Sequence, residues 1–114
     1  MKIGGSSDYP VANLDPRVGL RDAVLRRSPS GEIIGPQERL SMEEAMRLYT
    51  QGSAYLSFDE AHNGGIEAGK RADFTVMSAD PRQVSPEEVP QIPISMTVVG
   101  GEIVHSEWHG VWNR

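Results

Sequence analysis

The chain has 114 residues, no cysteine, and a formal net charge of −5 from 11 Lys+Arg against 16 Asp+Glu. This length suits one domain. The lack of cysteine excludes disulfides, thiolate zinc sites and cysteine nucleophiles, and the acidic balance disfavours a nucleic-acid partner, whose footprint is a basic patch. No apolar run approaches the ~20 residues that span a bilayer and no signal-peptide pattern opens the sequence, so the expectation is a cytoplasmic protein with no membrane partner.

The core must be small. Ile, Leu, Val and Phe make about 22% of the chain, just above the ~20% below which charged chains tend to stay disordered. Gly 12 and Pro 8 predict much turn and loop.

In chain order, Lys2-Ile-Gly-Gly5 predicts a very short strand. Ser6-Ser-Asp-Tyr-Pro10 ends it in a turn, because Ser and Asp bond to nearby backbone and Pro10 biases Tyr9 away from helix. Asp15-Pro16 is a helix start, with Asp15 as N-cap and Pro16 in the first helical position; the apolar stripe predicts a helix running to Arg27. Ser28 to Gly35 is a loop. Ser41-Met-Glu-Glu44 is a capping box that opens a helix over about 42–57, in which Gly52 points to a close approach by another element.

The character changes near residue 58. Asn63-Gly-Gly65 and Ala68-Gly-Lys70 are turns. Residues 72–77 predict a strand with Phe74 and Val76 on one face. Asp80-Pro81 starts another turn, and Pro86-Glu-Glu-Val89 suits one helical turn. Residues 94–99 and 102–105, separated by Gly100-Gly101, predict a β-hairpin. Trp108 and Trp112 lie four apart in the tail, where packing is their simplest role.

Few residues could carry chemistry. Asp8 follows the first strand and precedes a loop and a helix, the place where α/β folds put functional side chains. A carboxylate there could ligate a metal or act as a general base; an aspartate in such a turn can equally be a turn former. His105 and His109 have zinc-like spacing for a helix, but His105 ends a predicted strand, where a four-residue step is roughly 13 Å. His62 reads as a loop residue. The sequence contains neither a Gly-X-Ser-X-Gly elbow nor a phosphate loop. Lys70-Arg71 reads as a solvated turn. One carboxylate without a cage, base or nucleophile does not run a reaction.

Taken as a set, these residues resemble the amidohydrolase superfamily, and within it the amidohydrolase-3 branch of metal-dependent hydrolases. The likeness rests on Gly5-Ser-Ser-Asp-Tyr-Pro-Val11 with Leu14-Asp-Pro16, and on Arg39-Leu-Ser-Met-Glu-Glu-Ala45 with Tyr49-Thr50 and Ser53-Ala-Tyr55. Gly65-Ile-Glu-Ala-Gly-Lys-Arg-Ala-Asp-Phe-Thr-Val76 is similar to the family's Gly-X-Ile-X-X-Gly-Lys-X-Ala-Asp segment. Asp80-Pro81 and Met96-Thr-Val-Val-Gly-Gly-Glu-Ile-Val-His105 continue it. The resemblance covers residues 4–105.

The resemblance implies an α/β fold class: the last strand and helices of a (β/α)8 barrel, over residues 1–57, followed by part of a small composite β-sandwich, over 58–114. A whole barrel takes ~250 residues, so the expectation is a C-terminal portion, with Met1 falling inside the eighth strand. Asp8 matches the aspartate after that strand, which in the family ligates a divalent metal or takes a proton from the metal-bound water that attacks a C–N bond. The implied cofactor of the full-length family is therefore a divalent metal, zinc first, with none bound to this chain alone. The implied substrate is a small amide or cyclic amide, a non-peptide C–N bond. The family's other ligands (a His-X-His, a modified Lys or bridging acid, two later histidines) have no counterpart here, and the chain by itself is expected to be inactive. The expected partners are a second copy, in a homo-oligomer, or the barrel portion. The alternative is a freestanding non-catalytic module that acts by self-association or by complementing a separate barrel chain.

Overall fold

The computed structural model describes residues 1–107. Helix α1 spans Pro16–Leu25. A second helical run has three parts: α2 at Met42–Arg47, a π turn at Leu48–Gly52, and α3 at Ser53–Leu56. Three strands follow, β1 at Phe74–Met77, β2 at Ile94–Val99 and β3 at Glu102–Ser106, with a 3₁₀ segment at Pro86–Gln91 between β1 and β2.

Helix α1 begins where its sequence says it should. The Asp15 side chain accepts from the Arg17 N–H at 2.9 Å, which satisfies one of the orphan donors at the helix start. The helix stops at Leu25, two residues before the expected Arg27. Arg26 takes a left-handed backbone (φ 53°) and its N–H returns to the Asp22 carbonyl. The chain then doubles back through a bridge between Arg27 and Ile33, and so cannot continue the helix.

The second run starts at the capping box. The Glu44 N–H donates to Ser41 Oγ at 3.2 Å, and the Ser41 N–H donates to Glu44 Oε2 at 2.8 Å. Its interior widens into the π turn, where the Leu48 carbonyl accepts from the Ser53 N–H instead of the residue-52 N–H. The same carbonyl also accepts from the Ser53 hydroxyl at 3.0 Å and from the Gly5 N–H at 2.9 Å. A widened turn of this kind exposes a carbonyl to a neighbouring segment, and here that neighbour is the N-terminal stretch.

Residues 2–5 do not form the expected strand. A strand needs a ladder partner, and β1–β3 pair only with one another in the order β1-β2-β3. The N-terminal stretch lies on the helical run instead. A Cβ at Gly52 would sit 2.2 Å from the Ile3 carbonyl oxygen, and one at Gly4 would meet Leu56 and the Gly52–Ser53 backbone. The close approach expected at Gly52 is therefore with residues 3 and 4.

The sheet is antiparallel throughout. Phe74 pairs with Val98 and Val76 with Met96; Thr97 pairs with His105 and Val99 with Glu102. The Gly100-Gly101 turn has positive φ at both residues (59° and 84°), the backbone that a twisted two-residue hairpin demands. Gly100 N–H donates to Asp73 Oδ1 at 2.7 Å and Gly101 N–H to the Ala72 carbonyl at 2.9 Å, so the hairpin tip is tied to the entry of β1. Phe74 and Val76 lie two apart in regular register and so share one face, as expected; the register shifts only after Val76, and Val76 is 44% exposed.

The core sits where α1, α2 and the 3₁₀ segment meet. Leu20, Ala45, Val89 and Ile92 are buried there, with Tyr49 and Met77 packed against them. Ser85 and Glu88 form a second capping box at the start of the 3₁₀ segment. Arg17 closes this core from one side: its guanidinium is held by both Asp15 carboxylate oxygens and donates to the Ile92 carbonyl at 2.6 Å. The sheet reaches this core chiefly through Met77. The radius of gyration is 15.4 Å, against ~13 Å for a compact chain of this length, so the molecule is extended.

Candidate functional site

Asp8 lies in a turn suspended between two anchored points. On one side, the Gly5 N–H and the Gly5 carbonyl are both bound to the helical run, the carbonyl accepting from Ser53 Oγ at 3.1 Å. On the other, Asp15 and Arg17 fix the start of α1 to the end of the 3₁₀ segment. Between them, the Val11 N–H donates to the Asp8 carbonyl at 2.8 Å and the Ala12 N–H to the Ser7 carbonyl at 3.2 Å. Asp8 has φ 48° and is followed by a cis Tyr9–Pro10 bond. Aspartate tolerates the left-handed region better than most residues, so the turn selects a short polar side chain here.

The Asp8 carboxylate is exposed. Among the described residues, only its backbone N–H takes part in a side-chain hydrogen bond, to Ser6 Oγ at 3.3 Å. No group of three His, Asp or Glu side chains comes close enough to share a metal ion among the described residues. His62 lies beside Asp59, its Nδ1 3.3 Å from Oδ1. His105 is exposed on β3, opposite Thr97. His109 and both tryptophans fall outside the described residues. The donors that are present do not fit a divalent metal: one carboxylate stands where a cage needs three or four ligands.

Electrostatics reinforces the anchors. The Arg17 side chain bonded to Asp15 holds that carboxyl below its ordinary range and raises the guanidinium in turn. Burial pushes the Tyr49 hydroxyl up, with a smaller contribution from the Asp22 charge. Tyr49 fills the space between Gly5 and Gly19, where a Cβ on either glycine would collide with its ring or hydroxyl. A cleft of about 360 Å³ lined by Arg21, Arg27, Ser28 and Glu87 among others does not include Asp8.

Sequence reasoning singled out Asp8 and missed the groups that hold its turn. Ser53 and Tyr49 lie more than forty positions away in the chain, and nothing in their local pattern pairs them with Gly5. Gly52 was the available signal, since a glycine inside a helical pattern marks close approach.

Asp8 is thus an acidic side chain on a loop ahead of a helix, with a widened helical turn clamping the loop's origin. The amidohydrolase family model matches residues 1–105. "Putative amidohydrolase YtcJ" of Bacillus subtilis (strain 168) is 42% identical over 107 residues, covering 90% of this chain and 20% of that protein. The N-substituted formamide deformylase of Arthrobacter pascens is 32% identical over 101 residues, covering 89% and 19%. A crystal structure of an uncharacterized metal-dependent hydrolase from Pyrococcus furiosus superposes with a TM-score of 0.62 at 37% identity, over 73% of this chain and 16% of that one.

The chain belongs to the amidohydrolase family. It spans about a fifth of the length of the curated relatives it matches. Among the described residues, no helix is long and apolar enough to cross a membrane.

Proposed function

We propose that this chain contributes the C-terminal portion of a metal-dependent hydrolase acting on non-peptide C–N bonds of small amides or cyclic amides, and that Asp8 is its contribution to the reacting centre. Residues 1–57 then correspond to the end of the barrel and residues 58–114 to part of the composite sandwich. The observation that carries this reading is the position of Asp8: an exposed carboxylate on a turn anchored at both ends, with no second ligand beside it.

In that role the Asp8 carboxylate would accept a proton from the water that attacks the C–N carbon. Its turn supports the task, since the Gly5 and Arg17 anchors hold the two ends of the segment that carries the carboxylate. Specificity would come from loops outside these residues. A substrate like that named for the Arthrobacter pascens relative, an N-substituted formamide, falls in the proposed class.

The same reading accounts for the exposed apolar side chains. Tyr9, Val11 and Leu14, all around the Asp8 turn, are 66%, 80% and 67% exposed, and Phe58 is 93% exposed. Apolar surface of this kind is covered by a further element or a further chain. The purified 114-residue chain tests the proposal. It should associate in sedimentation experiments as its concentration rises, retain no stoichiometric zinc after gel filtration, and hydrolyse no amide or cyclic amide. A monodisperse monomer that keeps zinc and turns over substrate would overturn it.

A further inference from the structure

The turn at residues 59–65 carries chemistry that the hydrolase reading does not use. Asn63 precedes Gly64, and we propose that the folded chain leaves Asn63 open to self-deamidation by the Gly64 amide nitrogen. Three features of the turn support this. The Gly64 N–H donates to no group among the described residues, so its nitrogen is not tied up in a hydrogen bond. Gly64 has no Cβ to crowd that nitrogen, and its φ of 86° suits glycine. The Asn63 side chain is gripped at one end only: its Nδ2 donates to Asp59 Oδ2, while its buried Oδ1 has no partner. The carbonyl that must be attacked therefore makes no hydrogen bond through its oxygen, and the side chain is held through the leaving nitrogen.

The step balances without a redox partner. Gly64 N bonds to Asn63 Cγ, the Cγ–Nδ2 bond breaks, and the Gly64 amide proton leaves with that nitrogen as ammonia. The resulting five-membered imide takes up water at either carbonyl and opens to aspartate or isoaspartate. The aspartate product replaces a neutral donor with a carboxylate facing Asp59, so a hydrogen bond becomes a like-charge contact, and the isoaspartate product draws the side-chain carbonyl into the main chain and takes that donor away from Asp59. The isoaspartate form also adds a methylene to the main chain just before Gly64. That glycine packs tightly on the helical run, where a Cβ would sit 2.8 Å from Ala54 Cβ. Deamidation would thus lift the 59–65 turn from α3.

The test is peptide mapping by mass spectrometry of the whole chain, incubated at mildly alkaline pH with and without urea. Asn13, followed by the branched Leu14, is the internal reference. The expected result is conversion of Asn63 at least an order of magnitude faster than Asn13, at a native rate within a few-fold of the rate in urea, with isoaspartate detected by enzymatic methylation. Asn63→Gln should remove the signal and leave the Asn13 reference unchanged. An Asn63 as slow as Asn13, or one shielded by folding at least an order of magnitude relative to urea, would overturn the proposal.

Discussion

Phe58 occupies a backbone position that glycine usually fills. Helix α3 ends with the Asp59 N–H bonded to the Ala54 carbonyl at 2.9 Å and the Phe58 N–H bonded to the Tyr55 carbonyl at 3.1 Å, which is the two-bond closure of a left-handed cap. Phe58 supplies the left-handed residue at φ 58°, although a bulky side chain is disfavoured there by ~1–2 kcal/mol, and its ring is 93% exposed. Phe58→Gly should therefore raise stability by about 1 kcal/mol, read as a higher midpoint in urea; a lower midpoint would show that the ring packs on something. The helix end near 57 was legible in the sequence, but this cap was not, because no glycine announces it. Asp15 was fully legible, since Asp-Pro states both the cap and the first helical residue.

Four carboxylates at this scale set the acid response. Hydrogen bonds from Arg17 hold Asp15 low, backbone and side-chain bonds from Ser41 hold Glu44 low, and Ser85 does the same for Glu88. The Arg82 side chain holds Asp80 at about 2. Each folded-state pKa is depressed, so each contributes stability above the unfolded carboxylate range near ~4 and loses it as pH falls through the folded value. Thermal midpoints should be flat above pH ~5 and fall between ~4 and ~2. Asp15→Asn should shrink that fall, and an unchanged profile would remove Asp15 from the account.

At the scale of elements, the N-terminal stretch and the helical run act as one unit. The capping boxes at 41–44 and 85–88 and the Gly100-Gly101 hairpin could be read directly, because local hydrogen bonding and turn sterics specify them. The failed strand at 2–5 could not. Its short β-like pattern carried no information about a partner, and the partner is a π turn whose Leu48 carbonyl is shared by Gly5 and Ser53. Tertiary contact overrode the local reading. Gly52→Ala tests this docking: its Cβ would fall on the Ile3 carbonyl oxygen. We expect a loss of about 1–3 kcal/mol from forced overpacking and faster amide exchange at Gly5. Unchanged exchange at Gly5 would mean that the stretch is held elsewhere.

On the scale of the whole molecule, four residues make the central buried cluster, while Tyr9, Val11, Leu14 and Ile66 face solvent. The sheet and the helices meet mainly through Met77. Composition had signalled this thin core, but local patterns could not say which apolar residues would stay exposed, because apolar residues scattered along turns have no visible partner within their own window. The candidate site divides in the same way. Asp8 was legible as an acidic residue after a strand-like start, whereas the anchors that hold the two ends of its turn, Ser53 on Gly5 and Arg17 on Ile92, emerged only in three dimensions.

The central claim is that Asp8 serves the reacting centre of a larger amidohydrolase. It is tested most directly by splicing the matched residues of this chain into the N-substituted formamide deformylase of Arthrobacter pascens, in place of that enzyme's own stretch, and measuring formamide hydrolysis. Asn at position 8 suits both the size and the left-handed backbone of Asp8, so Asp8→Asn should leave the melting temperature of the chimera unchanged. The account predicts an active chimera whose rate falls at least roughly a hundredfold on Asp8→Asn. An Asp8→Asn chimera that hydrolyses substrate as fast as its parent would contradict it.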